Sequence, residues 1–244
     1  MMGFLDKIMG NVLYYPGCMM KFVTKEQNEK YKKILRKAGI DFILLTELEV
    51  CCGSPALAAG HIEEAKQLAE KNFKVFKEHS VKKMITPCPA CFRTFSQEYP
   101  KLVENWDIKV EHITQTLAKA IEEGKLKIKG KNVKVTFHDP CHLGRYSGIY
   151  EEPREIISKS GAEIVEMEMS REQSLCCGGG GGVRANYPEL SKEMAKERIK
   201  QAEKTKAEIL VTSCPLCFVQ LKEAAEESNS KIKVMELSEF INEI

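Results

Sequence analysis

Two similar nine-residue stretches decide the fold of this 244-residue chain: Lys83-Met-Ile-Thr-Pro-Cys-Pro-Ala-Cys91 and Ile209-Leu-Val-Thr-Ser-Cys-Pro-Leu-Cys217. Each begins with a short, largely apolar run of the kind found in buried β-strands. After one further residue each passes into Cys-Pro-x-Cys, which we expect to open a helix. The sequence therefore predicts two strands that each deliver a pair of thiols at the carboxyl end.

The other cysteines extend these pairs into one five-cysteine pattern that occurs twice. The first copy consists of Cys18, Cys51, Cys52, Cys88 and Cys91, and the second of Cys141, Cys176, Cys177, Cys214 and Cys217. The gaps are 32 and 35 residues in the first copy and 34 and 36 in the second. No cysteine is left over. Unrelated core cysteines would not sort into two matching registers, so the pattern indicates a shared chemistry.

Aligning Cys18 with Cys141 brings the periodic features of the two halves into register and predicts a duplicated chain. The predicted strands are 11–15, 42–45, 83–86 and 108–111 in the first copy, and 133–137, 163–166, 209–212 and 232–236 in the second. The predicted long helices are 24–38, 61–79 and 113–122, and then 151–160, 188–204 and 237–243.

Strands that alternate with helices in this order predict an α/β fold of two pseudo-twofold-related, Rossmann-like repeats with small parallel sheets. We expect the first repeat to span residues 1–124 and the second 125–244, with the charged, glycine-flanked stretch 124–132 as the linker. The cysteines follow the carboxyl ends of predicted strands, where the loops of open parallel sheets converge on a crevice. The three cysteine segments of one copy can therefore meet at one point.

Five thiols per copy leave three interpretations. Disulfides suit neither an odd number of cysteines nor a reducing compartment, and adjacent cysteines such as Cys51 and Cys52 are awkward disulfide partners. Structural zinc suits the Cys-x-x-Cys pairs but is satisfied by four ligands, which leaves a fifth thiolate unexplained. Iron–sulfur clusters suit soft thiolate ligands, although the spacing is not that of a ferredoxin. The residues therefore favour iron–sulfur over zinc and disulfides.

Composition limits the partners of the protein. The chain has 37 basic and 35 acidic side chains and a net charge of +2, with no basic stripe for a phosphate backbone, which argues against nucleic acid. No apolar run approaches the roughly 20 residues that a membrane span needs. Residues 1–10 are too short for a signal peptide and predict a frayed end or a short amphipathic helix. We expect a cytoplasmic protein with reduced thiols.

At these cysteines the sequence resembles a known family. The pattern of Cys18, the Cys51-Cys52-Gly53 segment and the Cys88–Cys91 pair, with its repeat at 141–217, is similar to the tandem cysteine-rich CCG domains of the heterodisulfide reductase catalytic subunit. The same domain pair occurs in iron–sulfur subunits of lactate, glycolate and glycerol-3-phosphate dehydrogenases and in thiol:fumarate reductase. The resemblance covers nearly the whole chain.

The resemblance implies two 4Fe–4S clusters of the noncubane type, one per repeat, with the ten cysteines as metal ligands. It implies an oxidoreductase subunit that reduces a small disulfide or thiol substrate and receives electrons from an iron–sulfur or flavin subunit, since no flavin or nicotinamide motif is present. An electron-relay subunit of a flavin-dependent lactate or glycolate dehydrogenase is the second interpretation, and a zinc-stabilised scaffold the third. Some relay subunits carry a ferredoxin segment before the repeats; this chain begins close to the first repeat, as free-standing catalytic and lactate-utilisation subunits do.

Residues around the second set of cysteines add further candidates. The run of five glycines at 178–182 indicates close approach of the backbone to a bulky cluster, whereas the first copy has Gly53-Ser54-Pro55, so we expect the two sites to differ. His138 and His142 could donate a proton to a leaving thiolate, although a supporting hydrogen bond explains them as readily. Asp139 is expected to shape a turn. The arginines that could bind anionic substrate groups are Arg145, Arg171 and Arg184.

Overall fold

The computed structural model describes residues 10–128 and 132–242 of the chain. The seven strands there are β1 (Asn11–Tyr14), β2 (Val81–Thr86), β3 (Lys109–His112), β4 (Lys134–His138), β5 (Glu163–Ile164), β6 (Ile209–Thr212) and β7 (Lys233–Glu236). They form one sheet in the order β1-β2-β3 and another in the order β5-β4-β6-β7, and every pair of neighbouring strands is parallel. The predicted α/β fold with two small parallel sheets is confirmed.

The helices lie between the strands at the predicted places. The α-helices of the described residues are α1 (Lys25–Lys37), α2 (Ser54–Ala58), α3 (Ile62–Glu78), α4 (Pro89–Arg93), α5 (Tyr99–Leu102), α6 (Ile113–Glu122), α7 (Glu151–Lys159), α8 (Val183–Asn186), α9 (Pro188–Lys204), α10 (Pro215–Glu227) and α11 (Leu237–Asn242). Both Cys-Pro-x-Cys segments open a helix, with the proline in its first turn, where a missing N–H costs nothing.

The predicted strand at 42–45 is wrong, because only a single bridge between Ile43 and Leu13 forms there. Ile43 N donates to Val12 O at 2.8 Å, and Tyr14 N donates to Ile43 O at 3.1 Å. The ladder ends there because the chain turns directly afterwards: the carbonyl oxygen of Leu45 accepts from the backbone N–H groups of Leu48 and Glu49, both at 2.8 Å. The corresponding β5 is also shorter than its predicted span of 163–166.

The two repeats share their largest core by exchanging helices. Helix α6 of the first repeat packs on α7 of the second, and α11 of the second packs on α1 of the first. The buried side chains between them come from both halves, and include Tyr31, Leu35, Leu117, Ile156 and Phe240. This reciprocal packing fits the pseudo-twofold arrangement expected of a duplication and joins the repeats into one body.

Each repeat has a second core of its own on the far side of its sheet. The first-repeat core contains Cys52, Cys88 and Cys91, and the second-repeat core contains Cys177, Cys214 and Cys217. The thiols are therefore built into the packed interior at the ends of the strands, and their surroundings exclude water.

Two expectations fall wholly or partly outside the described residues. The amphipathic segment expected at 1–10 lies outside them except for Gly10. Within the predicted linker, Gly124 follows α6 at φ +71°, and residues 129–131 lie outside the description. None of the described helices is both long and apolar enough to cross a membrane.

A buried carboxyl group joins the repeats. Glu236, at the end of β7, is fully buried, and its Oε1 accepts a 2.7 Å hydrogen bond from the hydroxyl of Tyr31 on α1. Its Oε2 accepts from the backbone N–H of Ser238 at 2.7 Å and from the hydroxyl of the same residue. Burial raises the pKa of Glu236 to about 7, although these hydrogen bonds act in the opposite direction.

We predict that Glu236→Gln makes the protein more stable than wild type at pH 8 but not at pH 4. Because the pKa of this carboxyl is raised on folding, the folded state still holds its proton between pH 4.5 and about 7, where the unfolded state has lost it. Wild-type stability from this group is therefore present below that window and falls as the pH rises through it, by about 3 kcal/mol. Anaerobic denaturant unfolding at several pH values measures the difference.

The matched control is Glu226→Gln, which changes a solvent-exposed carboxyl on α10. The difference in free energy of unfolding between this variant and wild type should not grow with pH. A constant difference between Glu236→Gln and wild type across this range would contradict the assignment of a buried, protonated Glu236.

Candidate metal centres

The first set of cysteines comes together from three segments of the first repeat, and we call it the first site. Cys18 follows β1, Cys51 and Cys52 precede α2, and Cys88 and Cys91 open α4. Neighbouring thiols are in contact along the set, from Cys18 through Cys51, Cys52 and Cys91 to Cys88, and the sulfur atoms of Cys52 and Cys91 lie 3.4 Å apart. All five predicted residues therefore meet at one point.

The second set repeats this arrangement and forms the second site. Cys141 follows β4, Cys176 and Cys177 precede the glycine run, and Cys214 and Cys217 open α10. The thiol contacts run from Cys141 through Cys176, Cys177 and Cys217 to Cys214, with 3.3 Å between the sulfur atoms of Cys177 and Cys217. All ten cysteines are free thiols.

Each site is closed on one side and open on the other. The last two thiols and the second of the adjacent pair are buried in both sites. Cys18 is exposed and Cys51 is half-buried, and Cys141 and Cys176 are both half-buried. A small molecule can thus approach each site from the side of its first two cysteines.

Crowding shifts the pKa values of neighbouring thiols in opposite directions. The hydrogen bond from Cys18 lowers the pKa of Cys51, and the equivalent bond from Cys141 lowers the pKa of Cys176. The pKa of Cys18 is raised by its bond to Cys51 and by burial, because a second anion beside the first is costly. Five thiolates cannot coexist at these distances without cations, and metal ions that replace the protons would remove the conflict.

Backbone N–H groups of glycines point at the adjacent thiols. Gly178 and Gly179 donate to the sulfur atoms of Cys176 and Cys177 at 3.4 and 3.5 Å. Gly178 has φ +78°, and a Cβ there would lie 2.7 Å from the carbonyl oxygen of Ser191. Beyond them, a Cβ on Gly180 or Gly181 would meet nothing within 4 Å. Close approach therefore explains Gly178 and Gly179, whose Cβ would lie 3.1 Å from the side chain of Leu216, but not Gly180 and Gly181.

Gly17 is a site residue that the sequence analysis missed. It has φ +72°, and a Cβ there would lie 2.9 Å from the sulfur atom of Cys91. The turn Pro16-Gly17 directly before Cys18 was the available signal. Only the packing of α4 against this turn shows that a side chain has no room.

His138 lies at the second site, where the sequence placed it, with an unexpected partner. One of its ring nitrogens and the sulfur atoms of Cys177 and Cys217 all lie within 4.8 Å of one another. Nε of Arg198 donates to Nδ1 of His138 at 3.1 Å. Arg198 lies on the Lys- and Glu-rich helix α9, is fully buried, and is a second site residue that the sequence analysis missed. Burial and the nearby guanidinium lower the pKa of His138 to about 3, so the ring is neutral.

The other candidates lie farther from the thiols or are otherwise engaged. The ring of His142 packs against Tyr146 with 5.3 Å between centroids. Asp139 does more than shape a turn, because its buried carboxylate accepts two hydrogen bonds from the guanidinium of Arg154, at 2.7 and 3.1 Å.

Three arginines were expected to bind anions, and each already has a partner. Arg171 pairs with Glu151, and Arg184 pairs with Glu223 at 2.9 Å. Arg145 donates to the carbonyl oxygen of Glu172 at 3.3 Å. This acceptor is uncharged, whereas the other two arginines pair with carboxylates.

Comparison with known proteins gives a family. A family model for the CCG cysteine-rich domain matches residues 12–96 and 135–222. The chain is 36% identical over 239 residues to a subunit of the dihydromethanophenazine:CoB–CoM heterodisulfide reductase of Methanosarcina barkeri, and the match covers 96% of this chain and 58% of that protein. It is 34% identical to EtfAB:quinone oxidoreductase of Syntrophomonas wolfei, covering 94% and 34%. A subunit of the fumarate reductase (CoM/CoB) of Methanothermobacter marburgensis is 31% identical, covering 98% and 48%.

The chain thus spans between about a third and three fifths of the length of these relatives. Among solved structures, glutamate racemase RacE1 of Bacillus anthracis aligns with a TM-score of 0.44 and 13% identity over 94% of this chain and 77% of that chain. A likeness at this level carries no argument about function.

The glycine run supplies a matched pair of variants. We expect Gly178→Ala to lower the free energy of unfolding by about 2 kcal/mol or more, because a left-handed backbone costs a Cβ about 1–2 kcal/mol before the clash with Ser191. Gly180→Ala should stay within about 0.5 kcal/mol of wild type, since its Cβ meets nothing. Denaturant midpoints measured without oxygen test both variants. Equal losses would contradict the described backbone of this loop.

Proposed function

Because this chain belongs to the CCG cysteine-rich domain family, we propose that it is an iron–sulfur redox subunit of the heterodisulfide-reductase type that reduces a disulfide substrate. The observation that carries the proposal is that five thiols from three separate segments meet at one point, twice. The relatives are subunits or whole proteins named as redox enzymes, among them subunits of a heterodisulfide reductase and of a fumarate reductase. The resemblance inferred from the cysteine spacing is confirmed by the family match.

The donor set of each site supports an iron–sulfur cluster. Zinc would use four of the five thiolates and leave one unpaired, whereas a multi-iron cluster can use them all. We propose one noncubane 4Fe–4S cluster per site, with the ten cysteines as ligands. Residues 1–124 would hold the first cluster and residues 125–244 the second. Bound clusters would supply one-electron transfer and iron atoms that can coordinate a substrate sulfur.

The protein residues have separate tasks in this proposal. The cysteine thiolates bind the iron, and the N–H groups of Gly178 and Gly179 orient the thiolates of the second site. The buried cysteines exclude water from the inner side of each site, since they belong to the hydrophobic cores. The half-buried Cys141 and Cys176 leave the outer side open for a small disulfide or thiol.

A partner subunit would supply the electrons. A disulfide takes up two electrons on reduction, and the sequence shows no flavin or nicotinamide motif from which they could come. An iron–sulfur or flavin subunit is therefore the partner that we propose. The names of the relatives support this, since two of the three are called subunits.

Electron relay without substrate chemistry is the second candidate. It is favoured by the 34% identity to EtfAB:quinone oxidoreductase and the 32% identity to the Bacillus subtilis protein called a probable iron-sulfur-binding oxidoreductase, FadF. In that role both sites would pass electrons from a flavin-dependent lactate- or glycolate-type dehydrogenase to an acceptor, and neither would bind a substrate sulfur.

We predict about eight irons and a comparable amount of acid-labile sulfide per chain in protein purified without oxygen. The low-temperature EPR spectrum should change when a small disulfide or thiol is added, because its sulfur binds at one site. An unchanged spectrum at full iron content would favour the relay. Zinc in place of iron would overturn both redox functions and leave the zinc-stabilised scaffold.

Substitution of single cysteines should empty one site at a time. We expect Cys177→Ser to remove about half of the iron, because a serine oxygen is a poor iron ligand in place of a buried thiolate, and Cys52→Ser to remove the other half. The two positions are equivalent in the duplicated pattern, so each variant controls for the other. Iron analysis and EPR distinguish them by which signal is lost. Loss of the same signal in both variants would contradict two independent sites.

A further inference from the structure

The buried pair of His138 and Arg198 sets the second site apart. Nε of Arg198 donates to Nδ1 of His138, and a guanidinium in a protein only donates. Nδ1 must therefore be the acceptor, and the neutral ring carries its proton on Nε2. That Nε2 is buried and has no hydrogen-bond partner among the described residues. An unpaired buried N–H is costly, so this one calls for an acceptor.

The location of the ring indicates where that acceptor lies. A ring nitrogen of His138 is within 4.8 Å of the sulfur atoms of both Cys177 and Cys217. Since Arg198 occupies Nδ1, Nε2 is the nitrogen that remains free to donate. The ring therefore adjoins the part of the second site that these two thiols form, and Nε2 is the nitrogen left to donate to a sulfur-containing group held there.

Arg198 carries a buried positive charge that the described residues do not neutralise directly. Besides His138 it donates to the carbonyl oxygen of Met169 at 2.7 Å, to Oε1 of Gln201 at 2.7 Å and to the hydroxyl of Ser174 at 3.0 Å. None of these four acceptors is a carboxylate. The nearest buried carboxylate, that of Asp139, acts on Arg198 without a direct hydrogen bond and is already paired with Arg154. An anionic cluster at the second site would therefore still interact favourably with this buried cation.

The first repeat has neutral residues at the same two places. Tyr15 replaces His138 when Cys18 is aligned with Cys141, and its hydroxyl donates to the carbonyl oxygen of Val50 at 2.7 Å. Asn72 occupies the place of Arg198. A Cβ on Gly53 would face Ala65, and a Cβ on the equivalent Gly178 would face Ser191. Asn72 and Arg198 each lie seven residues after that neighbour.

Asn72 is fully buried, and it hydrogen-bonds backbone groups of residues 50 and 51 and the hydroxyl of Tyr99. The polar groups of Tyr15 and Asn72 are thus hydrogen-bonded to other protein atoms. The first site receives neither a buried cation nor a free N–H from these positions.

We propose that His138, held in place by Arg198, donates its Nε2–H to the cluster of the second site and gives that site the higher reduction potential of the two. This inference rests on the proposed function. A reduced cluster carries one more negative charge, which a hydrogen bond and a buried cation stabilise. One electron would then be more stable on the second site than on the first, and its transfer would make or break no bond. Electrons from a partner subunit would collect at the second site.

Redox titration of anaerobic protein, followed by EPR, tests the order of the sites. The two signals are assigned by their loss in Cys52→Ser and Cys177→Ser. In wild type the second-site signal should titrate at the higher potential. His138→Phe should reduce the equilibrium constant for reduction of the second site about tenfold, which corresponds to about 59 mV for one electron. Tyr15→Phe is the matched control at the first site and should leave the second-site potential unchanged.

A measurement on wild-type protein guards against a His138→Phe variant that fails to fold or to bind iron. Pulsed EPR on protein with ¹⁵N-labelled histidine should show a weak nitrogen coupling in the second-site signal, and this coupling should persist in a His142→Phe variant. No nitrogen coupling would overturn the inference, and a strong coupling would do so too, because it would make His138 an iron ligand.

The outcomes separate the inference from the function on which it rests. Protein without iron would overturn the proposed function and the inference with it. Iron at both sites with a first-site potential above the second, or a second-site potential unaffected by His138→Phe, would overturn the inference alone. The expected order, shift and coupling together would support it.

Discussion

The repulsion among five crowded sulfur atoms is the constraint on which the rest of this structure depends. Contacts of 3.3–3.4 Å between thiols force neighbours to share protons or to give them up to metal. Short parallel strands meet this demand, because their carboxyl ends bring distant segments to one edge of a sheet. Glycines complete the arrangement where a side chain would displace a sulfur atom or its loop, as at Gly17 and Gly178. The fold thus brings five thiols together at each site in spite of their mutual repulsion.

The two halves of the fold are held together because the largest core belongs to both repeats. Helix α6 covers the second repeat at α7, and α11 covers the first at α1, so the interior between the sheets belongs to both halves. The hydrogen bond from Tyr31 to the buried Glu236 crosses the same boundary. These contacts between the repeats fix how the two sites are placed, and the electron transfer that we propose between them would depend on that placement.

The sequence predicted most of this fold, and the exceptions have a common cause. Periodicity located the helices and all but one strand, and the cysteine spacing identified both sets of thiols. The strand at 42–45 does not form because the chain turns at Leu45, directly after a single bridge to β1. Arg198 was missed because a Lys- and Glu-rich helix predicts exposed charges, and only the packing of α9 shows which of them is buried. Local pattern cannot report contacts that depend on a third segment.

The difference between the repeats is more informative than their likeness. A buried guanidinium with no carboxylate in hydrogen-bond contact is costly to the folded chain, and the nearby Asp139 is already paired with Arg154. The first repeat shows that the fold does not need this charge, because Asn72 fills the same place with neutral hydrogen bonds. The charge at Arg198 is therefore a feature of the second repeat and not a requirement of the fold. If both sites hold clusters, this charge would make the second one easier to reduce, and the direction of electron flow would follow from a difference between the repeats at two positions.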